Sequence, residues 1–133
     1  MNNRPQGART LLVQAELAAA QGLTIEALRL QHTALREFHE IEDHQGIASG
    51  LEAIASTHIQ AGANSGLFLK LISAAAELRR NTGLKLGRAR TGVLDALSKK
   101  VAEALGDAAA RAATESGKRL GVGEAVQLAL NGE

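Results

Sequence analysis

Residues 39–44 read HEIEDH, and their side chains are of the kinds that hold metals or move protons: two histidines, two glutamates and an aspartate within six positions. The nearest chemical pattern is HExxH, in which two histidines four apart on one helix reach a common zinc and a glutamate serves as base. Ligands so spaced stand about 40° apart around the helix. His39 and His44 are five apart, about 140° around a regular helix, and can share an ion only where the helix ends between them. The well-spaced pairs, His39 with Asp43 and Glu40 with His44, supply two ligands each, one short of the three protein ligands of a catalytic zinc. The hexapeptide therefore reads as a charged helix end and turn. No metal or cofactor is expected.

The other reactive residues fare no better. His58, within IASTHIQAG, reads as a packed, partly buried histidine, and His32 as a helix-surface residue. No G-x-S-x-G elbow occurs. GKR at 117–119 lacks the upstream glycine and following Ser/Thr of a phosphate loop, and GVG at 121–123 opens a short helix with no strand before it. With no cysteine, thiolate zinc sites, disulfides and a Cys nucleophile are excluded. The expectation is a protein without catalysis.

Charge offers another chemistry. Net charge is +1, yet residues 79–100 hold seven cations (Arg79, Arg80, Lys85, Arg88, Arg90, Lys99, Lys100) against Asp95 alone. Such a basic belt attracts phosphate, which allows a nucleic-acid reading. Against it, Phe38 and Phe68 are the only aromatics, so the belt has none to stack on bases, and no helix-turn-helix signature is present.

Elements must position these residues, and the pattern is helical almost throughout. Apolar residues recur at helical spacing and no stretch sustains strand alternation. The helices are expected over about 8–21, 25–42, 46–61, 65–81, 89–105, 108–116 and 123–130. Thr24, Asn64 and Asp107 are expected N-caps, and Gly22, Gly62, Gly83, Gly106 and Gly117 expected stops. No run approaches the roughly 20 apolar residues of a membrane span. The N-terminus has no apolar signal stretch, so a cytoplasmic location without membrane contact is expected.

Shifting the chain by 40 residues lays LLVQAELAAAQGLTIEAL (11–28) over LEAIASTHIQAGANSGLF (51–68). Leu11 meets Leu51, Ala15 meets Ala55, Gly22 meets Gly62, Ala34 meets Ala74 and Glu37 meets Glu77. Small residues thus recur where antiparallel helices touch, and glycine recurs where the chain turns. Each unit is a helix hairpin that cannot bury its apolar face alone, so units stack.

The pattern resembles tetratricopeptide (TPR) repeats: Ala15/Ala55, Ala27/Leu67 and Ala34/Ala74 fall on that family's small positions and Leu11/Leu51 on its first large apolar one. Gln14, Ala18 and Gln31 depart from it, and the period exceeds the roughly 34 residues of the standard repeat. Beyond the repeats, Leu78, Arg79, Thr82, Gly83 and Leu86 form LRxxTGxxL. Then come Leu105 and Gly106, Gly117 and Lys118, and an EAxxLAL helix through Glu124, Ala125, Leu128, Ala129 and Leu130. This order, over about residues 9–130, resembles the C-terminal helical region of bacterial multidomain signalling and transcriptional regulators, LuxR-type or winged-helix, with a nucleotide-binding ATPase module. The resemblance implies a regulatory module whose ATPase and DNA-binding parts are separate domains.

The expected architecture is all-α: a flexible 1–7, then a single domain 8–133. It is a right-handed, TPR-like antiparallel helix-hairpin stack of two repeats (about 8–42 and 46–82) with a three-helix C-terminal cap (about 88–131). Val93, Leu94, Leu97, Val101 and Leu105 should face inward from the first cap helix, and Val126, Leu128 and Leu130 in part from the last. The first helix of each hairpin should line a concave groove through Arg9, Leu12, Glu16, Ala19 and Ala20, then Ser49, Glu52, Ser56, Ile59 and Gln60. That mixture suits a peptide or protein partner. Two units are fewer than the three a stack usually needs, so the N-terminal face of helix 8–21 should be left unsatisfied. It should then be covered by self-association into a homo-oligomer or by other domains of a larger regulator. The alternative function is a nucleic-acid-associated regulator contacting phosphates through Arg79, Arg80, Lys85, Arg88 and Arg90.

Overall fold

The computed structural model describes residues 4–132, and among these the protein is all-α, with no strand. Seven helices follow in order: α1 (Arg4–Ala20), α2 (Thr24–Glu40), α3 (His44–Gln60), α4 (Gly66–Thr82), α5 (Arg88–Leu105), α6 (Asp107–Lys118) and α7 (Val122–Asn131). Helix α1 begins four residues before the expected start, inside the stretch read as flexible; residues 1–3 of that stretch lie outside the described residues.

The repeat has a finer period than the hairpin. Helices α1 to α4 are each 17 residues long. The three turns joining them share one geometry. Residue 22, 42 or 62 takes a left-handed backbone (Gly22 φ 80°, Glu42 φ 56°, Gly62 φ 107°). The next N–H then donates to the carbonyl five residues back: Leu23 to Ala18 at 2.9 Å, Asp43 to Phe38 at 2.9 Å and Ala63 to His58 at 3.0 Å. These are Schellman closures, which consume the orphan carbonyls of a helix end and fix the exit angle. Glycine fills the left-handed position twice and Glu42 once, at the steric cost a Cβ imposes there.

Neighbouring helices pack in sequence, α1 on α2, α2 on α3, α3 on α4, and α1 also touches α3, so the two hairpins form a stack. Helix α4 packs as closely on α6 as on α3, α5 lies against α3, α4 and α6, and α7 crosses α2, α3 and α4. These last three helices are the C-terminal cap. The core runs through Leu35, Phe38, Ile47, Leu51, Ile54, Ile59 and Leu71, all fully buried. On α5, Leu94 and Val101 are buried and Leu97 and Leu105 half-buried, whereas Val93 turns to solvent, one helical step off the buried stripe. On α7, Val126 and Leu128 are buried and Leu130 half-buried.

Close approach depends on missing side chains. The Phe38 ring lies where a Cβ at Gly46 would stand, and a Cβ at Gly50 would meet Leu35 Cδ1 at 3.0 Å, so α2 and α3 touch through these two glycines. Gly117, expected as a helix stop, instead sits buried within α6 against the Lys70 carbonyl and the Ser73 side chain. Ser73 Oγ donates to the Thr114 carbonyl at 2.7 Å across the same seam. The glycine serves contact between helices rather than a turn.

The expected caps shift by one residue. Leu23, Ser65 and Gly106 hold the N-cap positions instead of Thr24, Asn64 and Asp107. Ser65 Oγ accepts the Leu67 N–H at 3.1 Å. Asp107 becomes the first helical residue of α6, where its carboxylate faces the positive end of the helix dipole. Among the described residues no helix is long and apolar enough to cross a membrane.

Candidate functional site

The chain does break between the two histidines of HEIEDH. Glu40 closes α2, Ile41 and Glu42 make the turn, and His44 opens α3. Asp43 is the N-cap, with Oδ1 accepting the Gly46 N–H at 3.0 Å, so the acid most like a metal ligand is engaged in helix initiation. His39 faces an open depression against α4 and α7 beside Lys70 and Glu124. Among the described residues, no group of three or more His, Cys, Asp and Glu side chains could hold a metal.

The groove expected on the concave side forms only in part. Helix α3 lies between α1 and α5 and presents half-buried Ser49 and Ser56 and exposed Gln60. On α1, Leu12 and Ala19 are half-buried, while Arg9, Glu16 and Ala20 are exposed. Glu52 and Ile59 are not part of it: Ile59 is fully buried and Glu52 is 2% exposed. Glu52 is held by Arg79, whose Nε and Nη2 donate to its two carboxylate oxygens at 2.9 Å each, with Nη2 also 3.3 Å from Ser49 Oγ. The 40-residue alignment placed Glu52 outward because it had no means of seeing Arg79, which arrives from α4. Glu16 pairs with Arg90 of α5 at 3.5 Å, so the cap reaches across the mouth of the groove.

The Arg79–Glu52 pair also removes one member from the basic belt. Arg79 is 6% exposed and belongs to the core. Arg80 pairs with Glu77 and Arg90 with Glu16, while Lys85 in the α4–α5 connection and Arg88 at the start of α5 are exposed. Of the five expected phosphate contacts, Arg79 is therefore withdrawn into the core, while Arg80 and Arg90 stay on the surface beside carboxylate partners. Beside them a cleft of about 300 Å³ opens between α3, α4 and α5, with Ile72, Leu84, Leu86 and Leu94 as walls and Asp95 at its rim.

His58 stacks on Phe68, ring centroids 4.5 Å apart and 16° from parallel. Burial holds its pKa below the usual histidine value. His32, expected on the surface, is half-buried as well; burial first, then Arg36 and His58, lowers its pKa. Behind them the buried Gln31 donates to Thr57 Oγ1 at 2.8 Å, and its Oε1 has no protein partner. These are neutral packing groups on the seam of α2, α3 and α4.

One surface remains that the fold leaves open. Of the five large apolar side chains exposed among the described residues, four lie within residues 13–25: Val13, Leu17, Leu23 and Ile25, with Leu17 at 62% and Ile25 at 85%. Val13 and Leu17 share one stripe of α1, opposite the buried Ala8 and Ala15 that face the body of the protein. No family model, curated protein or solved structure matches this chain. Internal comparison carries the meaning of the stripe instead. Forty residues on, Val13 and Leu17 correspond to Ala53 and Thr57 of α3, in a stripe that begins at Gly46 and Gly50. That stripe is how α3 seats on α2, through Gly46 on Phe38, Gly50 on Leu35 and Thr57 on Gln31. In α1 the equivalent stripe has no described helix against it. Sequence reasoning expected an unsatisfied N-terminal face without naming its residues; projecting the α3 contacts back through the repeat would have found them.

Proposed function

We propose that this protein is a non-enzymatic interaction module, of the kind that forms the terminal TPR-like region of a bacterial transcriptional regulator, and that its binding surface is the end face of α1. The supporting observation is the equivalence just described: the stripe by which α3 accepts a helix recurs on α1 with larger, exposed apolar residues and no occupant. Val13 is 57% and Leu17 62% exposed, so each gains about 1–2 kcal/mol if a partner buries the rest. The partner is a helix or protein surface with an apolar stripe, since that is what the α2 face presents to α3. The concave groove is a lesser surface, its two most buried expected members being withdrawn into the core. Phosphate binding through the belt has less support, because Arg79 is buried against Glu52 and the belt has no aromatic side chain to stack on bases.

The test is an NMR titration of the labelled protein with a synthetic peptide of residues 24–40, the helix that fills the equivalent stripe of α3. At dilute protein, resonances of residues 10–20 should shift and saturate, and Leu17→Glu should remove the response. A spectrum unchanged by peptide at millimolar concentration refutes the reading.

A further inference from the structure

Resting on that reading, the geometry points to a second copy of this chain as the occupant, through an antiparallel α1–α1 pair. Arg9 and Glu16 are seven residues apart, two helical turns, and therefore stand on the same flank of the Val13–Leu17 stripe. A two-fold axis passing beside Val13, midway between them, turns the second helix antiparallel and brings Arg9 of each copy level with Glu16 of the other. A rotation about an axis perpendicular to both helices keeps like flanks on the same side, so both ion pairs form together. The interface is isologous, as a closed dimer requires: one patch, complementary to itself in charge and with Val13 at its centre. Val13 meets its own copy near the axis, and Leu17 lies level with residue 8 of the other α1.

The side chains are free to rearrange. Arg9 is 3.5 Å from the half-buried Asp43 and Glu16 is 3.5 Å from the exposed Arg90, both long contacts in which Arg9 and Glu16 are themselves exposed and exchange readily in water. Antiparallel seating also repeats what the stack does internally, where α3 meets α2 antiparallel through the corresponding stripe. A single helix pair, with Leu23 and Ile25 at its margin, falls short of the roughly 1,200–2,000 Å² of a stable complex. The dimer is accordingly a weak, concentration-dependent one, in the micromolar range or above.

Sedimentation equilibrium of the full chain over a wide concentration series tests this. The weight-average mass should climb from 13.8 kDa toward twice that value. Leu17→Glu should weaken association by about 100-fold or more, since each dimer loses two buried leucines. Circular dichroism of this variant should be unchanged, because Leu17 is 62% exposed on the outer face of α1. Arg9→Glu should weaken association, and Arg9→Glu with Glu16→Arg should restore it. A wild-type chain that stays at monomer mass to millimolar concentration overturns the inference, and so does a double charge reversal that associates no better than Arg9→Glu alone. If the chain stays monomeric yet the 24–40 peptide binds α1, the second copy falls and the interaction face stands. If neither occurs, both fall.

Discussion

Glu52 and Arg79 were expected on two separate binding surfaces, and the fold joins them into one buried pair, so removing either residue tests stability rather than binding. Glu52 is 2% exposed and Arg79 6%, with two N–H···O bonds of 2.9 Å between them. Replacing Glu52 with Leu leaves a guanidinium in the core with no countercharge, and Arg79→Met leaves a buried carboxylate. Either change costs about 3–5 kcal/mol, most of it the desolvation of the surviving charge. For a chain of 133 residues, an unfolding entropy of about 2.1 cal/mol/K per residue makes 3–5 kcal/mol equal to a loss of about 11–18 °C in Tm. The double variant Glu52→Leu/Arg79→Met removes both charges together and should lie within about 1 kcal/mol of the wild type, because a buried ion pair replaced by apolar groups of similar volume is nearly neutral. Thermal and urea unfolding followed by circular dichroism give the four corners of the cycle, and the coupling energy should be about 3 kcal/mol or more. The reasoning is refuted if Arg79→Met costs under 1 kcal/mol, or if the double variant loses the sum of the singles. Either result would mean that the two side chains reach solvent separately and remain available to ligands.

Two further outcomes follow from packing and from protonation. Gly117→Ala should gain helix propensity, about 1 kcal/mol, yet lose stability overall, because its Cβ overlaps the backbone carbonyl of Lys70 and stands 2.8 Å from Ser73 Cβ; a variant as stable as the wild type would show that α6 can lift away from α4 freely. Below about pH 6.5 the unfolded chain takes up protons that His32 and His58, lowered by burial, refuse in the folded state. Stability is therefore full above pH 6.5 and declines as pH falls below it, and His58→Gln should flatten the Tm-against-pH curve there; an unchanged slope would mean that His58 titrates as it does in the unfolded chain.

The sequence determined what depends on local chemistry. Helical periodicity, the absence of strand alternation and the 40-residue recurrence of small residues and glycines define a hairpin stack, since each states a rule about neighbours within a turn or two. The same locality explains why HEIEDH could be dismissed as a zinc motif by spacing alone, and why its role as a turn was legible. Its parts were not: that Glu42 takes a left-handed backbone and Asp43 the cap follows from the helices fixing both ends of the turn at once. Helix ends shifted by a residue at Thr24, Asn64 and Asp107 for the same reason.

Tertiary structure decided whatever depends on which helix arrives from elsewhere. Glu52 and Arg79 are 27 positions apart, and nothing local marks either as buried; each is tolerated in the core only because the other is there to meet it. Gly117 looks like any helix-ending glycine until α4 is laid against it, when its missing Cβ becomes the condition for contact. The stripe of Val13 and Leu17 was visible in the residue string as two apolar residues four apart. Only the docking of α3 on α2 shows what such a stripe is for, because an exposed face acquires meaning from the partner that its equivalent elsewhere in the fold already has.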